Sequence, residues 1–250
     1  MTMPKSRSVA CALVGVCCGL ASGNAIAGPP YMTDDPEPVE PTHWEVYLAS
    51  QHAITKEGAT GTAPHFDINY GALPNLHLHA LIPLAYALPA AGKAHYGVGD
   101  IELGGKLRFV QEKGATPMVA FYPAIDFPTG NESKGLGTGS VHVFLPVWFQ
   151  KTWAPWSTLW GGGYWINPGK GNRDYFYVGS QLQRRLSELV TVGGELFYTT
   201  PDHQGGSANV QFNVGVVWDL SKQHHLMASA GRSLVGDTLF ACFLADQITL

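Results

Sequence analysis

The chain has 250 residues, a net charge of −4 and 14% charged residues, against about 25% in ordinary soluble domains. With no cluster of Lys and Arg, this balance excludes a nucleic-acid-binding module. A composition of 30 Gly, 7 Trp and 10 Tyr with so little charge fits a β protein with an apolar exterior.

Residues 1–27 read as a secretion signal. Lys5 and Arg7 are its basic start, Val9 to Ala21 its apolar stretch, and Ala25-Ile26-Ala27 a small-x-small cleavage pattern that starts the mature chain at Gly28. A lipoprotein reading on Cys11, Cys17 or Cys18 is weaker, because Val16 stands before Cys17 where a small residue is needed. Loss of the signal leaves Cys242 alone, so neither an intrachain disulfide nor a Cys-based zinc site is expected. No later run is apolar enough for a transmembrane helix, but a barrel strand needs only about 9–11 alternating residues.

Residues 28–42 hold Pro29, Pro30, Pro36, Pro38 and Pro41 among Asp34, Asp35, Glu37 and Glu40. Proline at this density excludes a helix or strand interior. The expectation is a solvated, Pro-rich, acidic periplasmic lead-in. A cation site there is disfavoured, since carboxylates bracketed by prolines do not converge easily.

From residue 43 to 250 one pattern repeats. His43 to His52, Pro64 to Ala72 and Leu76 to Tyr86 alternate apolar with polar residues, as do Asp100 to Val110 and Thr116 to Phe127. Val141 to Gln150, Trp156 to Ile166, Tyr175 to Leu186, Glu188 to Thr199, Ala208 to Leu220, Gln223 to Arg232 and Thr238 to Leu250 complete about twelve segments. In the fourth segment Ile101, Leu103, Leu107 and Phe109 point one way, and Asp100, Glu102, Lys106 and Arg108 the other.

Joins after even-numbered segments are short (Ala72–Asn75, Gln111–Ala115, Thr152–Pro155, Ser187, Ser221–Lys222). Those after odd-numbered segments are mostly longer (Ile54–Gly61, Pro128–Gly139, Asn167–Asp174, Pro201–Gly206). An even strand count with sorted joins is the arrangement of an outer-membrane barrel; a soluble sandwich has no reason to sort them. Trp44, Tyr70, Tyr86, Phe109, Phe149, Trp156, Trp165, Phe197, Trp218 and Phe240 fall near segment ends, where aromatic girdles would lie. The fold expected is all-β: a transmembrane, antiparallel, up-and-down β-barrel of about twelve strands in the outer membrane.

Further stretches match a known family. Gly28-Pro-Pro, Thr33-Asp-Asp-Pro36 and His43-Trp-Glu45 resemble its start, and Gly97-x-Gly-Asp-x-Glu-Leu-Gly104 its fourth strand. Phe127-Pro-Thr-Gly130 with Gly135-Leu-Gly-Thr-Gly139 resembles its central loop, and Ala230-Gly-Arg232 its penultimate strand. Together they resemble the outer-membrane proteins grouped under a MetA pathway of phenol degradation and often labelled transporters. The resemblance spans the mature chain and implies passage of aromatic or other hydrophobic compounds. It also implies the outer-membrane bilayer and the barrel-assembly machinery as partners. Barrels of this type usually finish on an aromatic residue; this chain finishes on Leu250, and its last segment carries Asp246 in register with lipid-facing Phe240, Cys242, Leu244 and Ile248. An acid there is tolerable if it lies near the interface.

The inward set comprises Glu45, Asp67, His77, Asp100, Glu102, Lys106, Arg108, Asp126, Arg185 and Glu195, with Gln181, Gln183, Asn209, Gln211 and Asn213 beside them. These charges either line a path or pair across the interior and close it. Ser140 and His142, with Asp126 near, suggest a lipid hydrolase, but plain lumen filling accounts for them better. His77 and His79 make at most half a zinc site. No catalysis, metal or cofactor is therefore expected. The expected function is passive passage of small hydrophobic or aromatic compounds, the alternatives being a closed structural or binding barrel and, behind it, the hydrolase.

Overall fold

The computed structural model describes residues 29–250. The expected signal, 1–27, and Gly28 lie outside the described residues. Fourteen strands follow in order: β1 (Trp44–Thr55), β2 (Gly58–Leu73), β3 (Leu76–Pro89), β4 (His95–Val98), β5 (Ile101–Val110), β6 (Met118–Phe121), β7 (Ala124–Phe127), β8 (His142–Trp153), β9 (Trp156–Ile166), β10 (Tyr175–Arg185), β11 (Val190–Thr199), β12 (Asn209–Asp219), β13 (His224–Val235) and β14 (Phe240–Thr249). Strands β4 and β5 both pair with β3 and form one stave, interrupted at Gly99-Asp100. Strands β6 and β7 both lie between β5 and β8 and form another, interrupted at Tyr122-Pro123. Two interruptions turn fourteen strands into a closed, antiparallel, 12-strand barrel. The ring closes where β14 pairs with β1, and Trp44 and Leu250 exchange two backbone hydrogen bonds of 2.9 Å.

Alternation decides what each strand shows to lipid. On β5 Leu103, Leu107 and Phe109 are 46%, 46% and 57% exposed, whereas Lys106 between them is 3% exposed. On β2 and β3 Phe66, Leu78 and Ile82 face out, and His65, Asn69, His77 and His79 are buried inside. An exterior of apolar side chains over an interior of polar ones is the inverse of a soluble barrel and suits a bilayer. Aromatics mark its two edges. Trp44 packs on Tyr70 at the short-turn end, which is the periplasmic end of such barrels, and Tyr164 packs on Phe176 at the other.

The structure corrects several expectations. The join between β1 and β2 is a tight hairpin, with Thr55 paired to Gly58. The small residues Ala59 to Ala63 show no apolar alternation, so the ladder was invisible in the pattern. The fifth segment is two short strands, because Pro123 has no N–H for the ladder. Trp165 and Phe197 do not belong to a girdle: both turn inward and pack with Trp148 and Tyr177. The acidic segment is not a solvated tail either, although Glu37, Glu40, Pro41 and Thr42 are exposed. Its Tyr31, Thr33, Asp35 and Val39 are buried, and it runs up inside the barrel.

Asp246 does face outward beside Leu244, and it is met there by His224 of β13, Nδ1 to carboxylate 3.0 Å. The pair sits near the short-turn end, where a lipid-facing charge costs little.

Candidate functional site

The segment 29–42 owes its irregular course to its prolines, which keep it out of any ladder, and it runs through the barrel as turns and bends. At the periplasmic rim the Thr42 N–H donates to the Gly71 carbonyl at 2.7 Å. Farther in, three of its N–H groups are taken by the wall. Val39 N–H donates to His77 Nδ1 at 3.1 Å, and Met32 and Thr33 both donate to the Glu195 carboxylate. Ser229 Oγ donates to the Pro30 carbonyl, and Thr33 Oγ1 lies 3.1 Å from Tyr177 Oη. Lys106 holds Asp34 at 3.2 Å and Asp35 at 3.4 Å, and Arg108 holds Glu37 at 2.7 Å. Glycines make the room: a Cβ on Gly193 would lie 2.7 Å from Tyr31 Oη, and one on Gly215 3.0 Å from its Cζ.

The inward residues expected from the pattern divide into groups. Asp67 and Glu102 flank His79, at 3.1 and 3.0 Å, and Asn69 completes its contacts. Asp126 stands directly opposite Glu102 in the β5–β7 ladder. Glu45, His77 and Lys106 meet the acidic segment around a polar cavity of about 40 Å³. Glu195 sits on the far wall, where Asn213 Nδ2 and the two segment N–H groups converge on it. The other three lie at the ends. Asp100 accepts from the N–H groups of Gly130 and Thr138 and so fastens the loop between β7 and β8. Arg108 is shared between Glu37 and Asn75 at the periplasmic rim. Arg185, expected in the lumen, is exposed and caps its own turn through the carbonyls of Ser187 and Glu188; its face is inward, but it is the last residue of β10, at the rim.

Above the segment lies a cavity of about 280 Å³ that pattern reading did not anticipate. Pro29 to Met32 form part of its lining, Asp67, His79 and Glu102 another part, and Tyr122, Phe144, Trp148 and Trp165 an aromatic part. Phe144 stacks on Trp165 at 4.5 Å and 9°, and meets Trp148 edge-on. The rings lie close against the wall because Gly161 and Gly163 face them: a Cβ on either would come within 2.7 Å of Trp148 or Phe144. Trp148 is 2% exposed and its indole N–H has no partner among the described residues. Parity held the signal for this wall. Phe144 and Trp148 share a face with Gln150, and Tyr177 with Gln181, both of them buried polar positions.

Ser140 Oγ lies 3.3 Å from His142 Nε2, but it donates at 2.8 Å to the Pro168 carbonyl, so its proton points away from the imidazole. Asp126 is opposite His142 in the ladder, yet among the described residues no carboxylate hydrogen-bonds that ring. His77 accepts through Nδ1, and both nitrogens of His79 are taken by its neighbours.

The family described as "Putative MetA-pathway of phenol degradation" matches residues 58–238. The chain belongs to this family. No curated protein matches it in sequence. Among solved structures, the COG4313 outer membrane channel from Pseudomonas putida F1 is similar at 16% identity and a TM-score of 0.70, covering 86% of this chain and 98% of that one. The KdgM porin is similar at 10% identity and a TM-score of 0.55, covering 81% and 98%. A second KdgM structure, in complex with disordered oligogalacturonate, has a TM-score of 0.53 at 9% identity. At such identities the likeness is one of fold, and the fold is that of outer-membrane barrels. The family member described here therefore has a bilayer as its surroundings.

Proposed function

We propose that this barrel is an outer-membrane channel for small hydrophobic or aromatic compounds, working by passive passage and without catalysis. The aromatic chamber above the buried segment carries this reading. Trp148, Phe144 and Trp165 are packed against the lumen wall, and the apolar body of a solute loses its hydration on such a surface. The buried segment closes the other half to bulk water, which suits a solute that need not travel hydrated. Both the similar channel of Pseudomonas putida and the KdgM porin support a transport role. The barrel-assembly machinery would insert it. Absence of catalysis rests on Ser140, whose hydroxyl is directed to a carbonyl.

The segment in the lumen also favours a second reading, a closed structural or binding barrel. Purified protein in liposomes separates the two. Uptake of small aromatics well above that of sugars of similar mass is expected. A barrel that passes no solute class is closed, and the channel reading falls.

A further inference from the structure

The aromatic chamber is one-sided in charge. Asp34, Asp67 and Glu102 line it, and no Lys or Arg does. Asp34 is answered by Lys106 from below. His79 between Asp67 and Glu102 supplies at most one positive charge for two negative ones. Two carboxylates against one imidazole leave this side of the chamber with net negative charge.

The rings provide the complementary surface. An aromatic face attracts a cation, and in this lumen the Lys106 ammonium already rests 4.9 Å from the centroid of Tyr122. Phe144, Trp148 and Trp165 extend that surface around the cavity. A second, independent observation comes from Trp148. Its indole N–H is a donor buried in the chamber lining with nothing to accept from it among the described residues, and buried donors are ordinarily paired. The cavity of about 280 Å³ holds one small organic molecule.

We infer that the chamber is a binding site for small amphipathic organic cations, an ammonium attached to an aromatic or alkyl body. The ammonium lies toward Asp67 and Glu102, the apolar body lies against Phe144, Trp148 and Trp165, and an oxygen on the ligand would accept from Trp148. This rests on the channel reading and narrows its solute class.

The test uses the full mature protein in an uncharged detergent and three probes of similar size: benzyltrimethylammonium, neutral benzyl alcohol and anionic phenylacetate. Equilibrium dialysis should show the cation binding at least ten-fold more tightly than either of the others. Glu102→Gln and Asp67→Asn should each remove most of that preference. Equal binding of all three, or tighter binding of the anion, overturns the inference. So does a preference that survives both substitutions. The comparison among probes on the unmodified protein stands even where a variant fails to fold. Liposome uptake on the same preparation separates the two readings. Uptake of neutral aromatics without cation preference sinks the cation site alone, and cation binding without uptake of any solute sinks the channel.

Discussion

Asp34 and Lys106, seventy-two positions apart, meet at 3.2 Å inside the barrel, and the same ammonium reaches Asp35 at 3.4 Å. One lysine of the wall thus fastens the segment that fills the lumen. Breaking a buried pair by removing one partner typically costs about 3–5 kcal/mol, because the other charge is left uncompensated. Lys106→Met should therefore loosen residues 29–42 with the barrel intact. Amide hydrogen exchange should rise by at least a hundred-fold at Val39, and single-channel conductance should increase. Unchanged exchange would mean that Glu195 and Arg108 suffice to hold the segment.

Gly193 tests the same seat by shape. Its Cβ would meet Tyr31 Oη at 2.7 Å, whereas a Cβ on the next residue, Gly194, would find nothing closer than Asn213 O at 3.6 Å. Gly193→Ala is expected to displace Tyr31 and raise conductance, and Gly194→Ala to behave as the unmodified protein. Both glycines lie on β11, and heat-modifiable migration on gels should be the same for the two variants.

The outward pair gives an asymmetric prediction. His224→Leu strips Asp246 of its partner on a lipid-facing surface, and near the interface this costs up to about 1 kcal/mol. Asp246→Leu removes the charge itself and should be neutral or stabilising. Denaturant titration of the barrel folded into vesicles measures both.

A pH dependence is expected in the loop between β9 and β10. The Asn167 N–H and the Tyr164 hydroxyl donate to Asp174, each at 2.8 Å, and hold its carboxyl below the usual carboxylate range. A depressed folded pKa contributes order that is present above the unfolded value and lost as pH falls through the folded one. Protection of the Asn167 amide should hold at neutral pH and fade on acidification below that range. Asp174→Asn should abolish the pH dependence.

Much of the barrel was legible in the sequence because the period of two is imposed by strand geometry alone. Leu103, Leu107 and Lys106 were assigned their faces from parity, and the sorted joins told one end from the other. What parity cannot say is how far a strand reaches once its side chains become small, as at Ala59 to Ala63, or where a proline splits it, as at Pro123. The candidate site was harder. Asp67, Glu102 and Glu195 were placed inward individually, but the partners that define them come from elsewhere in the chain: His79 for two of them, Met32 and Thr33 for the third. Arg185 shares the inward face and still lies outside, because parity gives a direction and not a depth. Prolines and acids at residues 29–42 read as a solvated tail by composition, and only the cations on β5 and the Glu195 carboxylate that accepts backbone N–H groups reveal where it goes.

The segment's contacts also constrain the order in which the molecule can be made. Pro30 is held by Ser229, 199 positions later, and Met32 by Glu195, 163 positions later. The ring, however, is not shut until β14 meets β1. Residues 29–42 must therefore already be in place when the final strand arrives, since a segment anchored at Thr42 and gripped on several sides has no easy way in afterwards. Maturation of the barrel becomes a wrapping event around this segment, and a barrel whose residues 29–42 are delayed at the membrane would close empty.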